Sequence, residues 1–478
     1  MVEVPLAKAC SRSAPTPGEL VELVPHDLSP DGGSVARLDG LIVFLDQGLP
    51  GDRIRARISS CAKNFVRAEV LQVLEACPGQ RDTAPPYCPE LGRCGGCAWP
   101  GLAPAAEEGW KERQVRELFR RIGKLELEDN FFAPLLASPR RLAYRNKLEL
   151  AFAPSAGGVL LGMKRRASHE LVPVQDCALA RSSLAAILAC VREWLRDRAV
   201  EAWDGKGGFL RHLVVRQPEY APQGKAQCQV ELISTSPQAC GLPSGIGQGL
   251  ACALREQVPE LTGFVHSLRL HPAPVAYGER VLYAWGQRTL HERMGKLLLE
   301  APPTAFMQAN SGAAALMYER VCSLSQNYVQ ADELIWDLYC GVGGLGLLAA
   351  EANRGLALHG FDSVPDSVAF ARRNAVSNGL DNCVFSAGDV AQQARRAVRR
   401  GKPQLVISDP PRAGLSAASL KLLLELGPRA LIALSCDLAS QARDLARLVP
   451  AYRPCRAWLF DFFPHTPHIE TCVLLEKN

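Results

Sequence analysis

The chain has 478 residues, 47% hydrophobic and 22% charged, a globular composition long enough for two to four domains. Its 54 Lys and Arg against 49 Asp and Glu leave a net charge of +5, too mild an excess to identify a nucleic-acid binder by itself. No uncharged apolar run approaches the ~18 residues of a membrane span, and Met1-Val-Glu-Val-Pro-Leu-Ala-Lys8 lacks the basic and apolar segments of a signal peptide. A cytoplasmic protein is therefore expected, and a monomer. The 17 cysteines lie mostly singly in apolar stretches, as Cys190, Cys228, Cys252 and Cys322 do, which reads as reduced, buried thiols.

Residues 1 to about 17 carry Ser13, Pro15 and Pro17 and predict a loose tail. Short β-type runs follow at 20–24, 33–38, 41–45, 52–58 and 65–71, separated by Asp39-Gly40, Leu49-Pro50-Gly51 and Ser59-Ser60. Five short strands with tight turns predict a small OB-like barrel over 16–76. The run Asp52–Ile58 sets Arg53, Arg55 and Arg57 on one face against Ile54, Ala56 and Ile58, a face suited to a phosphate backbone or simply to solvent.

Next comes Tyr87-Cys-Pro-Glu-Leu-Gly-Arg-Cys-Gly-Gly-Cys-Ala98. Cys88, Cys94 and Cys97 are candidate metal ligands, and Cys177 is the candidate fourth. Four thiolates suit a cubane iron–sulfur cluster or a structural zinc, inert cysteines being the third reading, and the spacing is not that of a usual zinc-ribbon pair. A helix is expected over 107–124, with Trp110, Val115, Leu118, Phe119 and Ile122 as its apolar stripe. From 142 to about 288 β-rich runs alternate with helical pieces near 179–198 and 245–257, predicting a mixed α+β middle domain within 77–300.

From 301 to 478 the rhythm is strand then helix. Strands are expected at 334–339, 356–361, 404–408, 431–435, 455–462 and 471–476, which predicts a Rossmann-like α/β domain with a doubly wound parallel sheet and a strand pair at its end. The first strand feeds Cys340-Gly-Val-Gly-Gly-Leu-Gly346, a turn for a nucleotide-like cofactor, and Asp362 ends the next strand, where it can meet a ribose diol. Asp409-Pro-Pro-Arg412 follows a later strand, and the pairing with the glycine loop favours S-adenosylmethionine over NAD. Cys436 closes the run Leu431–Ser435, and Glu470 follows Phe463-Pro-His-Thr-Pro-His-Ile469. A thiol that adds to C6 of a pyrimidine activates C5, and a carboxylate then takes the C5 proton. The competing reading of Cys436 is a core thiol. A pKa below the free value would help it attack.

With these motifs together, the chain resembles the S-adenosylmethionine-dependent RNA (uracil-C5)-methyltransferases along almost all of its length. Gly33-Ser-Val-Ala-Arg37, Asp39-Gly40 and Leu49-Pro-Gly-Asp52 resemble a TRAM domain. The resemblance implies a [4Fe-4S] cluster on Cys88, Cys94, Cys97 and Cys177, with a structural or RNA-ordering task. It implies cofactor contacts from Gln308, Tyr339, Gly341, Gly344, Asp362, Asp389 and Asp409, with Asp409 on the cofactor or the base. It implies Cys436 as nucleophile and Glu470 as base. The substrate it favours is a uridine of 23S rRNA or its precursor, with tRNA, or a non-catalytic iron–sulfur RNA-binding protein, as alternatives. Gly344 stands where the TRAM-bearing rRNA group often has Asn, while Tyr144-Arg-Asn-Lys147 and Leu160-Leu-Gly-Met-Lys164 look closer to a shorter rRNA group, so the chain mixes the marks of two.

Overall fold

The computed structural model describes residues 15–29, 32–82, 87–99, 101–166, 168, 170–196, 198–224, 226–302, 305–353 and 355–478. Most of the expected N-terminal tail lies outside them. The chain divides into two compact units. One comprises Met1–Pro86 with Cys97–Trp110 and His465–Pro467, and the other Tyr87–Gly96, Lys111–Pro464 and His468–Asn478.

In the first unit, β1 (Leu20–Leu23), β2 (Asp27–Leu28), β3 (Ser34–Leu38), β4 (Leu41–Leu45), β5 (Arg53–Cys61) and β6 (Phe65–Glu75) form a sheet in the order β1-β5-β6-β4-β3-β2. Asp39 and Gly40 both take positive φ, 47° and 88°, as a two-residue hairpin turn between β3 and β4 needs. Along β5, Ile54, Ala56 and Ile58 are buried while Arg53, Arg55 and Arg57 face out.

Helix α1 (Pro104–Leu118) runs on as a π-turn over Phe119–Gly123. Val115 and Phe119 are fully buried, but Ile122, expected on the same stripe, is 41% exposed. The wider π-turn adds residues per turn and rotates Ile122 off the apolar face.

The second unit holds two large sheets. The central one contains β7 (Lys147–Ser155), β8 (Gly158–Lys164), β9 (Leu171–Pro173), β10 (Leu210–Arg216), β11 (Cys228–Ser234), β12 (Leu261–Leu268) and β13 (Arg280–Gly286), ordered β13-β12-β11-β10-β7-β8-β9. Helices α2 (Leu184–Arg196) and α3 (Ile246–Gln257) cover one face, where Ile187, Leu188, Leu250 and Leu254 meet Leu213, Val230 and Phe264. The hairpin β14 (Leu290–Met294) and β15 (Leu297–Ala301) and helix α4 (Ser311–Tyr328) lead into the second sheet.

That sheet contains β16 (Leu334–Leu338), β17 (Ala357–Asp362), β18 (Cys383–Ala387), β19 (Leu405–Ser408), β20 (Ala430–Ser435), β21 (Tyr452–Phe460) and β22 (Glu470–Lys477), ordered β18-β17-β16-β19-β20-β22-β21. Strands β16 to β20 are parallel, and β22 is antiparallel to both β20 and β21. Helices α5 (Gly344–Ala352), α6 (Pro365–Ser377), α7 (Val390–Ala397), α8 (Ala417–Leu426) and α9 (Leu438–Leu448) alternate with the strands. Sequence reading misses β18. It is a five-residue edge strand framed by Asp381-Asn382 and Gly388-Asp389, turn formers that hide a run with only partial burial.

The order reverses at β16, with β17 on one side and β19 on the other. A doubly wound sheet opens its crevice at that point, beyond the strands' carboxyl ends.

Candidate active site

Five strands deliver their next residues to one edge of this sheet. Tyr339 follows β16, Asp362 ends β17, Asp389 lies two residues past β18, Asp409 follows β19 and Cys436 follows β20. Because β22 runs the other way, its first residue, Glu470, arrives at the same edge. Ser435 pairs with Thr471, so the antiparallel register places Cys436 across from Glu470, and Phe460 pairs with Glu470 on the far side. Residues distant in sequence become neighbours through strand register alone.

A cleft opens beside β16, lined by Met294, Leu299, Phe306, Gln308, Tyr318, Tyr339, Gly341, Gly344 and Asp409 among others. The glycine turn shapes it. Tyr339 and Gly341 take positive φ, 66° and 55°, and the Tyr339 hydroxyl is 2.9 Å from Ser419 Oγ. A Cβ at Gly346 would stand 2.7 Å from Asp337 Oδ2, the atom that accepts the Gly346 N–H at 2.9 Å, so only glycine fits. Asp362 accepts the Gly341 N–H at 2.9 Å through Oδ2 and the Val364 N–H at 2.8 Å through Oδ1. Gln308, Tyr339, Gly341, Gly344 and Asp409 thus line one cavity, and Asp362 braces its loop. Asp389 is not among the lining residues. Its carboxylate caps α7 by accepting the Gln392 N–H at 2.8 Å.

The reactive groups share an electrostatic environment. Burial pushes the Cys436 thiol up to about 11, with Glu470 and Asp409 adding to the rise and Arg412 opposing it. The thiol is therefore raised rather than lowered, chiefly because burial disfavours the thiolate, with the two carboxylates adding to that and the guanidinium opposing it. Burial also raises Glu470 well above the carboxylate range, reinforced by Asp409 and offset by Arg412, and pushes Asp409 up to about 6. Arg412 itself is exposed.

Two groups escape the sequence reading. Asp337 is fully buried, its carboxyl is pushed up to about 8 by burial, and its Oδ1 has no hydrogen-bond partner. A lone carboxylate inside the apolar run Leu334–Leu338 was the available signal. Tyr318 lines the cleft from α4, and burial, followed by Asp409, Asp337 and Glu470, raises its phenol pKa. Nothing in sequence sets a tyrosine of an amphipathic helix apart. Of the two histidines expected near Glu470, His468 is held down to about 4 by burial and by Arg412, Lys111 and Arg145. His465 belongs to the first unit, where its N–H donates to Glu107 Oε1 at 2.8 Å and its carbonyl accepts the Trp99 N–H at 3.0 Å.

The cysteine set is less closely assembled than expected. Burial raises the Cys88 and Cys94 thiols, and both also feel Cys177. Yet no group of three or more His, Cys, Asp or Glu among the described residues is placed to hold a metal ion, and Cys97 belongs to the first unit. The chemistry of the donors suits iron and sulfide, but their present positions do not form a ligand set.

Sheet order, glycine turn, cleft and the Cys436–Glu470 pair define a Rossmann-like methyltransferase. Residues 287–478 match the family described as tRNA (uracil-5-)-methyltransferase, and residues 17–71 match the TRAM domain. An uncharacterized RNA methyltransferase of Nitratidesulfovibrio vulgaris is 37% identical over 472 residues, covering 96% of this chain and 97% of that protein. One of Geobacter sulfurreducens is 31% identical over 469 residues, covering 96% and 90%. Among solved structures, Pyrococcus abyssi tRNA (uracil-54, C5)-methyltransferase in complex with S-adenosyl-L-homocysteine has the same fold, with a TM-score of 0.72 at 24% identity, covering 95% of this chain and 100% of that one. The chain belongs to the S-adenosylmethionine-dependent RNA (uracil-C5)-methyltransferases, with a TRAM domain ahead of the catalytic module. No helix among its described residues is long and apolar enough to cross a membrane.

Proposed function

We propose that this enzyme methylates C5 of a specific uridine in a structured RNA, with Cys436 as nucleophile and Glu470 as base. The observation that supports the assignment is the strand register that sets Cys436 opposite Glu470, with both groups feeling the charge of Asp409, a lining residue of the glycine-turn cleft. Gln308, Tyr339, Gly341, Gly344 and Asp362 would hold S-adenosylmethionine, which supplies an electrophilic methyl group when bound.

The chemistry of the protein's own groups then runs in order. Cys436 gives up its thiol proton to solvent, its sulfur bonds to C6 of the uracil, and the electron pair of the C5–C6 double bond moves into an enolate over C5 and O4. C5 takes the methyl group as the S–CH3 bond of the donor breaks, leaving a neutral thioether. Glu470 removes the C5 proton, the double bond reforms, and the C6–S bond breaks to release Cys436. A carboxyl with raised proton affinity is a stronger base than an exposed one, so burial of Glu470 suits that step. Asp409 lines the cleft and its charge acts on Cys436, so it is suited to hold a polar edge of the base. The uracil has to leave its stack to reach Cys436.

The substrate class this reading favours is tRNA, named both by the matching family and by the solved structure of the same fold. A second reading, 23S rRNA, is supported by Cys88, Cys94, Cys97 and Cys177, the cysteine pattern of the rRNA groups the sequence resembles. Mapping 5-methyluridine in both RNAs from cells lacking the gene separates them. Loss from tRNA alone supports the first reading, loss from 23S rRNA the second, and loss from neither refutes both.

The same cysteines would be the ligands of a [4Fe-4S] cluster, as the resemblance implies. No step of the reaction depends on it. Protein purified without air should then contain about four irons. Stoichiometric zinc, or no metal, would remove the cluster.

A further inference from the structure

The segment 305–309 brings Gln308 to the cleft without belonging to any helix or strand. Its backbone is held from outside, and the holders come from the central sheet. Arg216, at the end of β10, donates through an Nη to the Ala305 carbonyl at 2.8 Å. Asn146, just ahead of β7, donates its backbone N–H to the Ala309 carbonyl at 2.8 Å. The Asn146 side-chain amide then donates twice, to the Gln308 carbonyl and to Ser311 Oγ, each at 2.8 Å. Ser311 passes its proton on to Glu292 Oε2 at 2.8 Å. Glu292 is anchored by the backbone N–H groups of Tyr220, at 2.6 Å, and Glu219, at 3.2 Å. Gln308, Ser311 and Glu292 are 7%, 0% and 2% exposed, so water cannot replace these bonds.

We propose that Asn146 is a positioning residue for the cofactor cleft, fixing the backbone of Gln308 from the central domain through a buried chain that runs by Ser311 to Glu292. A carboxamide serves here because two donors on one nitrogen are required, one for a carbonyl and one for a hydroxyl already committed to a carboxylate. The inference rests on the reading that Gln308 contacts the cofactor. It adds that the central sheet shares in setting cofactor affinity.

Titration calorimetry with S-adenosylhomocysteine tests it on wild type, Asn146→Asp, Gln308→Ala and the double variant. Asn146→Asp keeps the shape and loses both donors. It should weaken binding by about tenfold, the scale of one or two buried hydrogen bonds. The double variant should bind no more weakly than Gln308→Ala, because Asn146 acts through Gln308. Wild-type affinity in Asn146→Asp, or losses that add in the double variant, would overturn the positioning role while leaving Gln308 in place. Wild-type affinity in Gln308→Ala would remove the underlying reading and this inference with it. If Asn146→Asp does not fold, as circular dichroism would show, Ser311→Ala decides. About a threefold loss that vanishes in the Gln308→Ala background supports the role, and unchanged affinity refutes it.

Discussion

A thiol pushed up to about 11 is a poor nucleophile at rest, and Cys436 is surrounded by the groups that make it so. Burial is the main cause, and the charges of Glu470 and Asp409, the groups proposed for the later steps, add to it. Cys436→Ala should abolish methylation while S-adenosylhomocysteine still binds. RNA carrying 5-fluorouridine at the target should trap a covalent adduct with wild type, because fluorine cannot leave as a proton. An adduct that survives in Cys436→Ala, seen on a denaturing gel, would disqualify this residue. Asp409 makes a second prediction. Its carboxyl sits at about 6 in the fold against an ordinary 3.8, so the fold resists its ionisation. That cost is absent below about pH 4, grows as pH rises towards 6 and is complete above it. Asp409→Asn should therefore be inactive yet more stable than wild type at pH 7.5, by on the order of 1–3 kcal/mol given that part of the side chain faces the cleft. Thermal melts should show the gain shrinking to nothing near pH 4.

Between β21 and β22 runs the loop that ends at Glu470, and its base is pinned by an ion pair from far away in the chain. Lys111 Nζ, on α1, lies 2.6 Å from Asp461 Oδ1 and donates to the Phe463 carbonyl at 3.2 Å, with side chains 0% and 1% exposed. Asp461 directly follows Phe460, the register partner of Glu470, and its own N–H donates to the Leu136 carbonyl at 2.9 Å. The pair therefore fixes where the hairpin leaves the sheet. Lys111→Met should destabilise the protein by about 3–5 kcal/mol, since it strands a buried carboxylate, while Lys111→Met with Asp461→Leu should recover most of that. Denaturant melts would contradict this account if the single variant unfolded like wild type. No periodicity in α1 marks Lys111 as buried, because a lysine beside an apolar stripe ordinarily reads as solvated. The approach of Asp461 and Phe463 gives its ammonium partners in the fold.

On the scale of the whole molecule, the two ends of the chain do different physical work. The C-terminal sheet assembles the chemistry, and the N-terminal sheet offers the exposed arginines of β5, of which Arg55 lies 2.9 Å from Glu22. If Arg53, Arg55 and Arg57 contact phosphates, replacing all three by Gln should weaken RNA binding and flatten the plot of log K against log salt by about two. The methyl-transfer rate at saturating RNA should hardly change. An unaltered salt slope in filter-binding assays would mean that this face is only solvated.

Much of this protein was legible in its sequence, because several signals are local. Turn pairs such as Asp39-Gly40, the two-residue alternation of β5, the glycine turn after β16 and the acids that close β17 and β19 follow from φ preferences and strand geometry, and they stand where reading predicts. What the tertiary structure decided is long-range. Register brought Cys436 opposite Glu470, burial raised their proton affinities, α4 carried Tyr318 to the cleft wall, and packing buried Asp337 under the glycine turn. Asp389 was expected at the cofactor, and the fold shows that one of its oxygens caps α7 through the Gln392 N–H. The cysteines could be counted and spaced from sequence, while their meeting depends on how distant segments close. Conformational preference is a property of a few adjacent residues. Desolvation and charge coupling depend on what the rest of the chain packs around them, and so they appear only in the fold.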